Sequence, residues 1–126
     1  MFQISHYLQN KYKINGRVYP HLDCWGLIVY YYKNELEVTL NEYTDFTYKT
    51  MTCGQYKELS RGQFKEINDP VDDCVVTFSR ERLFHVGIFK NGKILHTHQG
   101  GTKYESIESA VKFQNVKLRF YEYVNN

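Results

Sequence analysis

Asn91-Gly92 lies between two short runs rich in β-branched and aromatic residues, LFHVGIFK (83–90) and KILHTHQ (93–99). Asn and Gly tolerate the positive φ that both central positions of a two-residue hairpin turn require, so this dipeptide predicts a tight hairpin. It also predicts a register. With Lys90 facing Lys93, Gly87 faces His96 and His85 faces His98. Side chains two apart on a strand share a face, so His85, His96 and His98 project to one side of a sheet. CVVTFSR (74–80) before the hairpin and VKLRFYEYV at the end of the chain read as further strands.

The first half has a different character. Residues 3–12 place Ile4, Tyr7, Leu8 and Tyr12 at helical spacing, and INGRVYPH then reads as loop, punctuated by Gly16 and Pro20. Asp23 is a natural N-cap for a helix CWGLIVYYYKNEL, with Leu27, Ile28 and Tyr31 on one face and two of the three consecutive tyrosines in the core. Residues 39–69 are mixed and polar, with one further helix expected around Met51–Leu59 plus loops. Thr102, with Glu105 three residues on as a capping box, is expected to open a helix to about Phe113. Helices first and strands afterwards give an α+β order.

Composition narrows the function classes. The chain has 126 residues, 42% hydrophobic and 24% charged, with a net charge of +2. That suits one globular domain spanning 1–126, and neither repeat nor linker divides it. No Lys/Arg run is dense enough for a nucleic-acid patch, so no nucleic-acid partner is expected. No apolar stretch approaches the ~20 residues of a bilayer span, so no membrane insertion is expected. The start, MFQISHYLQNKYK, lacks the regions of a signal peptide, so synthesis and folding in a cytoplasm are expected. Three widely spaced cysteines, Cys24, Cys53 and Cys74, favour neither a disulfide framework nor a structural zinc site.

Cys24 falls in the opening turn of the Asp23-capped helix. Unpaired N–H groups and the helix dipole favour a thiolate there, as a hydrolytic nucleophile requires, and a lowered thiol pKa is the expectation. A buried structural cysteine is the plainer alternative, and it is the reading given to Cys53 and Cys74. The histidine face offers a base and a second group to orient it. The same face can also bind a metal or be a solvated hairpin surface. His6 and His21 fall outside these groups and are read as surface or loop residues.

Together, LDCWGLIVYYY and HVGIFKNGKILHTH resemble the NlpC-type cysteine peptidases. In that family the nucleophile sits in an Asp-Cys-x-Gly-[Leu/Phe]-[Val/Ile] helix start. The base sits in a His-Val-Gly-[Ile/Leu]-[Tyr/Phe] strand, and a third residue closes the next strand after two apolar positions. The resemblance implies catalytic Cys24, His85 and His96, the last preceded by Ile94-Leu95; hairpin register alone makes His98 the competing partner of His85. DPVDDCVVTF is similar to the family strand that precedes the base strand. Tyr12, twelve residues ahead of Cys24, matches a tyrosine that holds the substrate's amino end, and Asp23 and Trp25 flank the nucleophile as further substrate-binding positions.

The implied fold is papain-like α+β, with the nucleophile on a helix N-terminus packed against an antiparallel sheet. The implied chemistry is amide cleavage in peptidoglycan stem peptides, without metal or other cofactor. Trp25 departs from the Ser usual after the nucleophile. Asp-Cys-Trp-Gly-Leu, preceded by GRVYP, and the closing LRFYEYV resemble the tail-assembly peptidase domains of long-tailed bacteriophages. That likeness implies a place in a virion tail tip beside other tail proteins, after synthesis in the bacterial host's cytoplasm. A structural or assembly role in the tail, with little or no peptidase activity, is the alternative.

Overall fold

A computed structural model describes residues 2–42, 63–80, 83–111 and 116–124. In chain order its elements are α1 (Ile4–Leu8), β1 (Arg17–Val18), β2 (His21–Leu22), α2 (Cys24–Leu36), β3 (Phe64–Ile67), β4 (Val75–Arg80), β5 (Leu83–Lys90), β6 (Lys93–His98), β7 (Gly101–Glu105), α3 (Ile107–Val111) and β8 (Lys117–Tyr123). Six strands form one antiparallel sheet in the order β3-β8-β4-β5-β6-β7, and β1 and β2 make a separate small ribbon.

Asn91 and Gly92 take φ values of 52° and 82°, as the turn sequence requires. Lys90 pairs with Lys93, Phe89 with Ile94 and Ile88 with Leu95, so the expected register holds over these three pairs next to the turn. The central strands are apolar on both sides because both sides are covered. Val75, Val86, Ile88 and Leu95 pack with Leu27, Ile28, Tyr31 and Tyr32 of α2. On the other side Val76, Phe78 and Ile94 pack with Ala110, Ile107 and Val111 of α3. Burial on two faces explains why these strands read as continuous apolar runs and not as alternating ones.

Helix α2 spans the expected residues. The Asp23 carboxylate accepts from the Gly26 N–H, and Glu37 ends the helix in the left-handed region with its N–H on the Tyr32 carbonyl. Tyr31 and Tyr32 are buried and Tyr30 is half-buried, the split expected for this run. The phenols of Tyr31 and Tyr32 bond the carboxylate and the carbonyl of Asp73, tying the helix to the entry of β4.

Three expectations need correction. The opening helix covers only Ile4–Leu8. Residues 64–67 are a strand, because β8 offers them an edge to pair with. Thr102–Glu105 belong to β7, not to a helix: this segment pairs with β6 from Ile94↔Glu105 to His98↔Gly101. The Thr102 hydroxyl donates to the Asn10 carbonyl, so a free ladder edge and a tertiary partner outweigh the capping-box signal. Ser106 receives the Ser109 N–H at the start of α3 instead. The helix expected around Met51–Leu59, Cys53 and the expected helix end at Phe113 lie outside the described residues. Among those residues no helix is long and apolar enough to cross a membrane.

Gly26 sets how closely α2 approaches the loop before it. A Cβ on Gly26 would lie 2.1 Å from the Gly16 carbonyl oxygen, a backbone atom that cannot rotate away. Gly92 has open space around it and only its φ of +82° to argue against a side chain. Gly26→Ala should therefore lower the unfolding free energy by about 3 kcal/mol, and Gly92→Ala by about 1 kcal/mol. Urea unfolding of both variants checks the ranking, and equal losses would contradict it.

Candidate active site

Asp23 is fully buried. One carboxylate oxygen accepts from the Gly26 N–H at 2.7 Å and from Arg17 Nη1 at 2.7 Å, and the other accepts from the Asn15 N–H at 2.9 Å. These bonds fix the start of α2 and with it Cys24, whose relative exposure is 8%. The thiol is hydrogen-bonded to backbone groups of Val86 and Trp25, and Val86 adjoins His85 on β5.

The protonation state of Cys24 differs from the expectation. Burial pushes its thiol up to about 12, and the Asp23 carboxylate adds to the effect. The two backbone hydrogen bonds and Arg17 pull the other way without prevailing. Desolvation and an adjacent anion outweigh the helix start. Cys74, also a free thiol, is raised to about 11, again mainly by burial.

His85 Nε2 lies 2.8 Å from His96 Nδ1, and His96 Nε2 lies 2.6 Å from Glu105 Oε2. Ser109 Oγ donates to the other Glu105 oxygen at 2.7 Å. The His98 ring centre is 6.2 Å from that of His85, and its Nδ1 accepts from the Gly100 N–H. Of the two competing histidines, His96 makes the bond to His85. Gly87 explains this. A Cβ there would lie 3.0 Å from His96 Cβ and 2.9 Å from the Leu95 carbonyl oxygen, so only a glycine lets His96 lean across the strand. Phe78 lies against both rings, 5.1 Å from His85 and stacked 5.5 Å from His96.

Burial lowers His85 to about 3, with help from His96 and His98. His96 is lowered by burial against the upward pull of Glu105. Burial alone would raise Glu105, but hydrogen bonds from Ser109 and His96 bring it below the usual carboxylate range. At neutral pH the histidines are neutral and Glu105 is ionised. Among the described residues no group of three or more His, Cys, Asp or Glu side chains is arranged to hold a metal ion.

The remaining sequence candidates separate. Tyr12 is half-buried and lines an open cavity of about 750 Å³ with Asn10, Lys11, Gln99, Gly100 and Gly101, beyond the end of β6. Asp23 and Trp25, the two candidate substrate-binding residues beside Cys24, both lie in the interior. Asp23 is committed to three donors, and Trp25 is fully buried with its indole N–H donating to the Asn41 carbonyl. His6 bonds the Tyr30 hydroxyl and stacks on Tyr19, while His21 is exposed. Glu105 is the residue that sequence reasoning missed. Its sequence signal pointed to a helix cap, and only the β6–β7 pairing brings it beside His96.

Residues 9–119 match the model of the NlpC/P60 family. Among solved structures, the NlpC/p60 domain of the peptidoglycan hydrolase SagA is similar at a TM-score of 0.59 and 17% identity. The alignment covers 90% of this chain and 87% of that one. At this identity the likeness is one of fold, and the fold is the expected papain-like α+β arrangement. No curated protein matches the chain.

Alkylation by iodoacetamide proceeds through the thiolate, and a raised pKa leaves less of it at any given pH. The Cys24 rate should therefore climb about tenfold per pH unit from 7 to 9 with no plateau. Peptide mapping by mass spectrometry follows it. A plateau between pH 5 and 8 would instead show a thiolate–imidazolium pair at rest.

Proposed function

This chain belongs to the NlpC/P60 family, and from that membership we propose that it is a cysteine hydrolase cleaving amide bonds in peptidoglycan stem peptides. Cys24 is the nucleophile, His85 its base and His96 the group that orients the base. The observation that carries the reading is the contact of the Cys24 thiol with the backbone of Val86, next to a histidine already bonded to a second one.

His85 takes the thiol proton as sulfur attacks the amide carbonyl carbon, and the carbonyl π electrons move onto oxygen. The Cys24 backbone N–H, in the opening turn of α2, is a donor for that oxyanion. Collapse expels the amine, which leaves with the proton held on His85, and a thioester remains on Cys24. Water, deprotonated by His85, attacks the thioester; the acid departs and sulfur regains its proton. The chain's own groups balance every proton, so the cycle needs no cofactor.

The finer reading places the chain, as one functional unit, in a bacteriophage tail tip among other tail proteins, after synthesis in the host cytoplasm. Its support is the Asp23-Cys24-Trp25-Gly26-Leu27 segment and the closing strand. A tail-assembly part with little peptidase activity is the second reading, and one observation favours it. Cys24 is nearly inaccessible and its thiol is protonated at rest.

Purified peptidoglycan incubated with the protein should release stem-peptide fragments identifiable by mass spectrometry, and a Cys24→Ala control should release none. Equal release by both, or none by either, would sink the hydrolase reading. On a peptide that the native protein cleaves, His85→Ala should cut kcat by about a thousandfold. His96→Ala should cost about ten- to a hundredfold, and His98→Ala less than about threefold, with folding checked by circular dichroism. A crippled His98→Ala beside a near-normal His96→Ala would reverse the assignment of the orienting group.

A further inference from the structure

We infer that Glu105 is a positioning residue that, through His96, decides which nitrogen of His85 carries its proton. The inference rests on the reading of Cys24 and His85 as nucleophile and base. It starts from two short contacts in series, His85 Nε2 to His96 Nδ1 at 2.8 Å and His96 Nε2 to Glu105 Oε2 at 2.6 Å.

An ionised carboxylate only accepts hydrogen bonds. The nitrogen facing Glu105, His96 Nε2, therefore carries a hydrogen. A neutral imidazole has one N–H and one lone pair, so His96 Nδ1 is the lone pair and can only accept. His85 Nε2 must then donate to it. That leaves Nδ1 of His85 as the basic nitrogen, unprotonated and ready to take a thiol proton. Reversing the first bond reverses every later one. If His96 Nε2 became an acceptor, Nδ1 would donate to His85 Nε2, and the His85 proton would sit on Nδ1. The base would then have no lone pair where it needs one.

The surroundings hold Glu105 to this task. Ser109 Oγ–H donates to its second oxygen, which favours the ionised form and fixes the rotation of the carboxylate. Phe78 stacks on the His96 ring and limits its rotation. The His98 Nδ1 is turned to a different partner, accepting from the Gly100 N–H.

Glu105→Gln keeps the shape and removes the charge. An amide can present either its oxygen or its NH₂ to His96, so the variant should populate both directions of the chain. The first measurement is nitrogen NMR of the histidine side chains near neutral pH, which reports the protonated nitrogen of each ring. The native protein should carry the proton on Nε2 of both His85 and His96, and the variant should show a mixture. The second is turnover, where Glu105→Gln should lower kcat about ten- to a hundredfold with KM and thermal stability little changed.

A native His85 protonated on Nδ1 would overturn the inference. So would a variant with native tautomers, or one with native turnover. If the native protein cleaves no peptidoglycan, the NMR comparison still decides the assignment: native Nε2 protonation that becomes mixed in the variant upholds the role of Glu105 while the hydrolase reading falls.

Discussion

The Asp23 carboxylate governs the front of the molecule. A buried charge is tolerated only when paired and hydrogen-bonded, and this one has two backbone N–H donors and the Arg17 guanidinium. Arg17 is itself almost buried, with 6% of its side chain exposed. Losing either partner strands the other's charge, a situation that costs about 3–5 kcal/mol. Through these bonds the carboxylate joins the loop at Asn15, strand β1 and the first turn of α2, and so fixes the position of Cys24. The same charge makes the neighbouring thiol harder to ionise. The carboxylate that places the sulfur thus adds to the burial that suppresses its resting reactivity.

The histidine pair depends on a constraint of a different kind, a missing side chain. Gly87 opens a gap between β5 and β6, His96 fills it, and Phe78 covers both rings. The resulting environment is dry enough to keep both imidazoles neutral. In the proposed reaction the Cys24–His85 pair therefore starts uncharged. Charge separates only while an oxyanion is forming and donors are in place to receive it, which fits a preorganised site better than a permanently reactive thiolate.

Much of this was legible in the sequence. Asn91-Gly92 set a turn and a register, Asp23 announced the helix start, and the motif around His85 and His96 led to the family. What was illegible involves groups far apart in the chain. Register arithmetic placed His98 opposite His85, but the space that Gly87 leaves decides for His96. Thr102 and Glu105 carry a helix-cap signature, yet the open edge of β6 draws them into a strand. Only that strand puts Glu105 beside His96. The rise in the Cys24 thiol pKa was equally hidden, because it reflects how deeply the helix start is buried, a property of the packing.

The sheet order has a consequence for how the chain is made. Strand β8 is late in sequence but interior in space, lying between β3 and β4. Among the described residues β3 has no strand partner, and β4 keeps one bare edge, until residues 117–123 have left the ribosome. Exposed strand edges invite pairing with other chains. The nascent protein carries that liability from the emergence of β3 until β8 inserts.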